Sequence, residues 1–275
     1  MRVVVTGATG NVGRHVVAGL LAEDVNVRAV TRRPAEAQLP GSAEVVSGDL
    51  DDPRSLADTL AGADALYLLS TGDTAGVAAA ARVAGVRRIV LLSSASAGFE
   101  QEDAGGAFHL AAEEAVESRS SGWTHLRPGM FASNLMDWSA PIKEFGAVQA
   151  PYDGALQAPV DERDVAEVAV RALLSDEHLG RRYTLTGPEA LSKSQQVAAL
   201  AEGTGRDIDF VELTPDQWRA QASHYMPTYA IDWLLAYWER TTRNPERVDP
   251  TLEHLLGRPA TRLAEWAERN REAFL

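Results

Sequence analysis

The sequence predicts a doubly wound α/β fold with a smaller, mainly helical C-terminal part. Three observations predict it. Apolar runs of strand length alternate with helix-patterned segments through the first half of the chain, and the connections are short, as in a parallel sheet covered on both faces. The first run, "RVVVTG", leads into glycines at 7, 10 and 13, spaced by three, just ahead of a helical pattern. After residue 130 the alternation breaks down and helical patterns dominate.

The elements follow in order. "RVVVTG" is a continuous apolar run, as a strand buried on both faces should be. "GRHVVAGLLAE" reads as a helix, "NVRAVTRR" as a strand and "AEVVSGDL" as a short strand. "DDPRSLADTLAG" reads as a helix with Asp52 at the N-cap and Pro53 at the first helical position. "ADALYLLST", "VRRIVLLSS" and "WTHLRP" are strands, and "AGVAAAARVAG" and "GGAFHLAAEEAVESRS" are the helices between them. "EQED" at 100–103 reads as a solvated loop. Further on, "DERDVAEVAVRALLS" is a helix and "RRYTLTG" a strand that can return to the sheet. "SKSQQVAALAEGTG" is a helix with Ser192 and Gln195 at capping-box spacing, and "TPDQWRAQ" repeats the device with Thr214, Pro215 and Gln217. "YMPTYAIDWLLAYWER" is an aromatic helix, and "PATRLAEWAERNREAF" is an amphipathic closing helix. The expected division is a nucleotide-binding core over 1–135, with 156–190 returning to it, and a substrate lobe or lid made of 136–155 and 191–275.

Composition narrows the function. The 275 residues are 45% apolar and 24% charged, enough to bury a core without disulfide or metal staples. There is no cysteine, which removes disulfides, thiolate nucleophiles and cysteine-ligated metals together and is compatible with the cytoplasm. A formal charge of −13 repels nucleic-acid phosphates and anionic membranes. Met1 and Arg2 lead directly into the first strand, so no signal peptide is expected. No run of about 18 uncharged apolar residues suggests a membrane span. The only lysines are Lys143 and Lys193, so nearly all positive charge is arginine.

Gly7, Gly10 and Gly13 give the spacing G-x-x-G-x-x-G between strand and helix. One glycine permits the tight turn, one lets the backbone approach a pyrophosphate, and one lets helix and strand pack closely. The intervening Thr9, Asn11 and Val12 would present backbone amides to the anion at the helix start. A plain glycine turn has the same spacing. Its place in the first strand–turn–helix of an alternating chain favours the dinucleotide. The second strand ends in Thr31-Arg32-Arg33, where an acidic residue would select NAD; two guanidiniums suit the 2′-phosphate of NADP. Solvated loop arginines are the alternative. Asp49 and Leu50 of "GDL" stand where an adenine edge is held, and Asp49 reads equally well as a turn or capping residue. Ser70 and Thr71, Ser93 and Ser94, and Pro128 end three further strands at the carboxyl edge of the sheet, where ligands bind and where polar turn residues are common in any case.

"TGATGNVG", "GDL", "LLSSASA", "HLAAEEAVE" and "THLRPGMFASN" resemble the atypical short-chain dehydrogenase/reductases, nearest to the NmrA-like group with its quinone reductases and NADP-sensing regulators. The resemblance covers about residues 1–135, and 155–205 loosely through "GRRYTLTGPEALS". It implies a Rossmann-type sheet and NADP(H) as cofactor. Active extended members carry Tyr-x-x-x-Lys-x-x-x-Glu on the helix before "LRP". Laid on that pattern, His109 and Glu113 take the lysine and glutamate positions, and Gly105 falls where the tyrosine should be. The tyrosines at 67, 152, 183, 225, 229 and 237 have no lysine four residues on. His109 can hold the nicotinamide ribose but has no tyrosine to activate.

Three readings remain open. The substrate needs no strong proton donor; or His109, Tyr225 or Tyr229 supplies the proton; or the protein binds NADP without turning it over. The first gives the leading expectation, an NADPH-dependent reductase of a flat hydrophobic quinone-, enone- or aromatic-ketone-like compound. The second class is an NADP-sensing regulator, and the third a sugar-nucleotide epimerase-like enzyme. His109 and Glu113 sit at metal-ligand spacing but lack a third ligand, so no metal is expected. Tyr225, Tyr229, Trp233, Tyr237 and Trp238 recur at helical spacing. They form either a core-facing stripe or, with Met130, Phe131 and Trp138, an aromatic pocket for a flat ring.

Overall fold

The structure, a computed structural model, describes residues 1–99 and 104–275. The "EQED" stretch at 100–103 lies outside them. In chain order the elements are β1 (Arg2–Val5), α1 (Gly13–Ala22), β2 (Asn26–Thr31), β3 (Glu44–Ser47), α2 (Ala57–Leu60), β4 (Ala65–Leu69), α3 (Thr74–Val83), β5 (Arg88–Leu92), α4 (Ala104–Glu117), β6 (Trp123–Pro128), α5 (Ser139–Phe145), β7 (Ala147–Ala150), α6 (Glu162–Leu174), β8 (Arg181–Leu185), α7 (Lys193–Thr204), β9 (Asp209–Glu212), α8 (Pro215–Ala222), α9 (Thr228–Arg243), α10 (Thr251–Leu256) and α11 (Leu263–Arg269). They form two compact units.

The first unit holds residues 1–129, 162–185 and 251–257. Its seven strands run in the order β3-β2-β1-β4-β5-β6-β8, and every pairing is parallel. The apolar runs behave as strands covered on both faces. Val4, Leu66, Leu68, Ile89 and Leu91 point to one face, where Leu60 of α2, Val77, Ala78 and Ala81 of α3, and Ala112 and Val116 of α4 close over them. On the other face α1 packs against α6, and α6 lies on β4, β5 and β6. The strand order reverses between β1 and β4, so the crevice at their carboxyl ends is the topological switch point where sheets of this kind bind ligands.

Three sequence expectations change in this unit. The helix expected from Asp52 begins as a 3₁₀ turn over Pro53–Leu56, and only Ala57–Leu60 is α-helical; Asp52 still caps it by accepting from the Arg54 N–H at 3.2 Å. Residues 251–257, expected in the lobe, belong here, because α10 packs on α6 and β8 and Arg171 donates to the Leu255 and Leu256 carbonyls at its end. The boundaries fall at 129/130, 161/162 and 185/186 instead of 135, 156 and 190.

The second unit holds residues 130–161, 186–250 and 258–275. Its core joins Leu135, Ile142 and Val148 to Val197 and Leu200 of α7 and to Leu263 and Trp266 of α11. Both expected capping boxes form, at Ser192/Gln195 and Thr214/Gln217. The unit is less purely helical than expected, since β7 and β9 pair in parallel. The closing helix stops at Arg269, and residues 271–273 continue as a 3₁₀ turn.

Candidate cofactor and active site

The loop after β1 is built on steric necessity. Gly7 has φ +58°, in the left-handed region. A Cβ on Gly13 would lie 2.1 Å from the Gly7 carbonyl oxygen, so the start of α1 approaches the loop as only glycine permits. No side chain caps α1; in its first turn the Arg14 and His15 N–H groups donate to the Gly10 and Val12 carbonyls, and Thr9, Gly10 and Asn11 are exposed at the mouth of the loop. These features fit a dinucleotide diphosphate. Thr6 spans the switch point, its hydroxyl donating to Tyr67 O at 3.0 Å and accepting from the Leu69 N–H at 3.1 Å.

At the end of β2, Arg32 is exposed and pairs with no acid among the described residues. Arg33 is exposed and paired with Glu36 at 2.9 Å. Thr31 Oγ accepts from the Arg33 N–H. Asp49 takes the turn role that the sequence left open, accepting from the Asp51 N–H at 3.0 Å, while the Leu50 carbonyl accepts from Asp73 N–H and ties this loop to the one after β4.

The next two strand ends are engaged from α4. Ser70, buried, places its hydroxyl 2.8 Å from His109 Nδ1, while Thr71 beside it is exposed. Ser93, also buried, donates to Glu113 at 2.5 Å, so its hydroxyl faces the helix. Ser94 caps the short 3₁₀ turn that follows, accepting from Ser96 N–H. Pro128 is buried at the end of β6 opposite Leu185.

One turn beyond His109, fully buried Glu113 receives a two-pronged ion pair from Arg127, at 2.9 and 2.6 Å. Burial would raise its carboxyl, but the Arg127 and Ser93 hydrogen bonds outweigh it and hold it below the usual carboxylate range. A turn further, Glu117 accepts from His125 Nε2 at 3.0 Å and pairs with Arg182. Burial pushes the His125 imidazolium down against the pull of both glutamates. Glu113, Glu117 and His125 bring ligand atoms within 4.8 Å of one another, but Arg127 and Arg182 already supply the positive charge a cation would bring. Sequence reasoning missed Arg127 and the Ser70 contact.

In the second unit, Met130 and Trp138 are partly buried against the Trp266 core, and Phe131 is bridged to Val160. The aromatic stripe divides. Ile231 and Leu235 form the buried side of α9, with Trp238 edge-on to Trp218 at 4.9 Å. The core-facing reading therefore does not hold for Tyr225, Tyr229 and Trp233, which are 71%, 78% and 47% exposed. Trp233 lies parallel to Tyr237 at 5.4 Å.

These features define a dinucleotide-binding protein of the atypical short-chain dehydrogenase/reductase kind. The chain belongs to the NAD(P)H-binding family, whose family model matches residues 7–176. It is 40% identical to the (4-alkanoyl-5-oxo-2,5-dihydrofuran-3-yl)methyl phosphate reductase of Streptomyces griseus and 29% identical to the NAD(P)H azoreductase of Xenophilus azovorans, each comparison covering 99% of both chains. The crystal structure of an NADPH-dependent quinone oxidoreductase from Escherichia coli superposes with a TM-score of 0.83 at 26% identity, covering 98% of this chain and 99% of that one. Family, fold and relatives place the chain among the NAD(P)H-dependent oxidoreductases. No helix among the described residues is long and apolar enough to cross a membrane.

Proposed function

We propose that the protein is an NADPH-dependent reductase of a flat, hydrophobic, conjugated acceptor: a quinone, an enone or an aromatic ketone. One observation carries the proposal. Gly105 and His109 occupy the tyrosine and lysine positions of the family's catalytic pair, so no phenol stands there to protonate an isolated carbonyl. A conjugated acceptor does not need one. In a quinone or an enone, hydride adds to the carbon end of the π system, the displaced electron pair moves onto oxygen, and the resulting phenolate or enolate takes a proton from water or a weak acid.

Bound NADPH supplies the hydride. The chain's own groups hold and orient it. The Gly7–Gly13 loop and the amide end of α1 take the diphosphate, Arg32 and Arg33 take the 2′-phosphate, and His109 takes the nicotinamide ribose. The exposed faces of Tyr225, Tyr229 and Trp233 offer a flat ring a stacking surface. The relatives support this class. The substrate named for the Streptomyces reductase is an acylated unsaturated lactone, which favours an enone-type acceptor.

The test is NADPH consumption followed by absorbance against a panel of quinones, enones and aromatic ketones. Oxidation with a conjugated member, and none with a saturated ketone, is the expected result. Oxidation with saturated ketones alone overturns the proposal. Tight binding of both NADP⁺ and NADPH with no consumption by any acceptor supports the NADP-sensing reading instead.

A further inference from the structure

We infer that Arg14 is a further cofactor-binding residue, whose guanidinium takes the diphosphate common to NADPH and NADH and so adds affinity without choosing between them. The inference rests on the reading of the Gly7–Gly13 loop as the diphosphate site, and it concerns a residue to which that reading gave no role. Arg14 is the second residue of α1 and is exposed. Its backbone N–H donates to Gly10 O at 3.2 Å, and its Nη2 donates to Asn11 Oδ1 at 2.8 Å. Backbone and side chain are thus both fastened to the loop. Helical side chains lean toward the N-terminus, and the Asn11 contact fixes that lean, so the guanidinium stands at the exposed mouth of the loop.

Charge makes that position informative. The helix dipole disfavours a cation in the first turn and favours an anion there. The first turn of α1 carries no acid, and its start has no side-chain cap. Arg14 therefore adds a full positive charge to an end that is already positive, and among the described residues it has no ion pair to offset this. Arg82, also without an acid among the described residues, stands in the last turn of α3, where the dipole favours it. An anion at the mouth of the loop reverses the sign for Arg14. Asn11 occupies one edge of its guanidinium, and the rest of the planar fork suits phosphate oxygens.

The two exposed arginines then divide the work. Arg32 ends β2, where the 2′-phosphate distinguishes NADPH from NADH. Arg14 stands on the glycine loop, where the two nucleotides are alike. A group that meets only what the nucleotides share must change both affinities by the same factor. A group that meets the 2′-phosphate changes one of them. A merely solvated arginine changes neither.

The test is fluorescence titration of the parent, Arg14→Gln and Arg14→Lys with NADPH and with NADH, at low and at raised salt, beside thermal melts of each without nucleotide. Arg14→Gln should weaken both nucleotides by the same factor, about three- to tenfold at low salt. Arg14→Lys should lose less, and the parent's advantage over Arg14→Gln should shrink as salt rises. Without nucleotide, Arg14→Gln should melt no lower than the parent, since it removes a cation from the positive end of a helix. Unchanged affinity for both nucleotides overturns the inference. So does a loss confined to NADPH, which would assign Arg14 to the 2′-phosphate. A lower melting temperature of the nucleotide-free Arg14→Gln protein also overturns it, because Arg14 would then serve the fold. Nucleotide binding to the parent tests the reading of the loop by itself, and the ratio of parent to variant tests Arg14. Turnover enters neither readout, so an absence of reductase activity counts against the proposed function alone.

Discussion

At the scale of single residues, charge sets what the site can hold. A surface with formal charge −13 keeps two adjacent arginines at the end of β2, but they are not equivalent. Glu36 already neutralises Arg33, and Arg32 has no such partner among the described residues. Arg32→Ala should therefore weaken NADPH binding about tenfold or more, as expected for a lost charge-assisted contact, while Arg33→Ala does less and NADH affinity stays unchanged in both. Titration of each variant with both nucleotides checks this, and an unchanged NADPH preference in the double variant would remove the arginines from the cofactor site. Lys193 illustrates a cost that sequence does not announce. It is 1% exposed, stands 4.2 Å over the Trp238 ring, and is pushed by burial from 10.5 down to about 7, against the pull of Asp153 and Glu212. The sign is that of a base disfavoured when charged. The cost is fully present below the folded pKa and is relieved as pH rises toward the unfolded one. Lys193→Met should be more stable than the parent near pH ~6, and the gap should close toward pH ~10 in denaturant melts. A gap that widens with pH would mean that the lysine is held as a favourable cation.

At the scale of elements, the glycine loop and α4 do most of the positioning. Gly13→Ala puts a methyl against the Gly7 carbonyl at 2.1 Å, with backbone on both sides, so either the loop or the start of α1 must move. Nucleotide binding should fall below detection in fluorescence titration while the sheet stays folded by circular dichroism; an alanine variant that binds normally would show that the loop does not approach the diphosphate. The tight packing of this loop was legible in the sequence because glycine spacing has a steric meaning independent of context. The parallel sheet was legible for a similar reason: strands buried on both faces read as unbroken apolar runs such as Val3-Val4-Val5. The β7–β9 pair was not. "AVQA" and "DFVE" are four residues each, without alternation, and they pair only because chain segments far apart in sequence meet. The Ser70–His109 and Glu113–Arg127 contacts were equally invisible, since each depends on where α4 lies across the strand ends. Tyr225 and Tyr229 show the limit of periodicity. Helical spacing places side chains on one face but does not say whether that face is covered.

At the scale of the whole molecule, the proposed function couples a dinucleotide-binding unit, with Gly105 and His109 where the family's pattern has tyrosine and lysine, to a conjugated acceptor that needs hydride more than it needs an acid. The most direct test follows the hydride. NADPH deuterated at nicotinamide C4, each epimer in turn, is mixed with the protein and an unsaturated lactone, and the product is read by mass spectrometry and NMR. The expected result is one carbon-bound deuterium per turnover on the reduced lactone from one of the two epimers, with the matching oxidised nucleotide formed in equal amount. A reduced lactone that gains no carbon-bound deuterium from either epimer, or a nucleotide that binds tightly and keeps its label with every acceptor, would contradict the proposed hydride transfer.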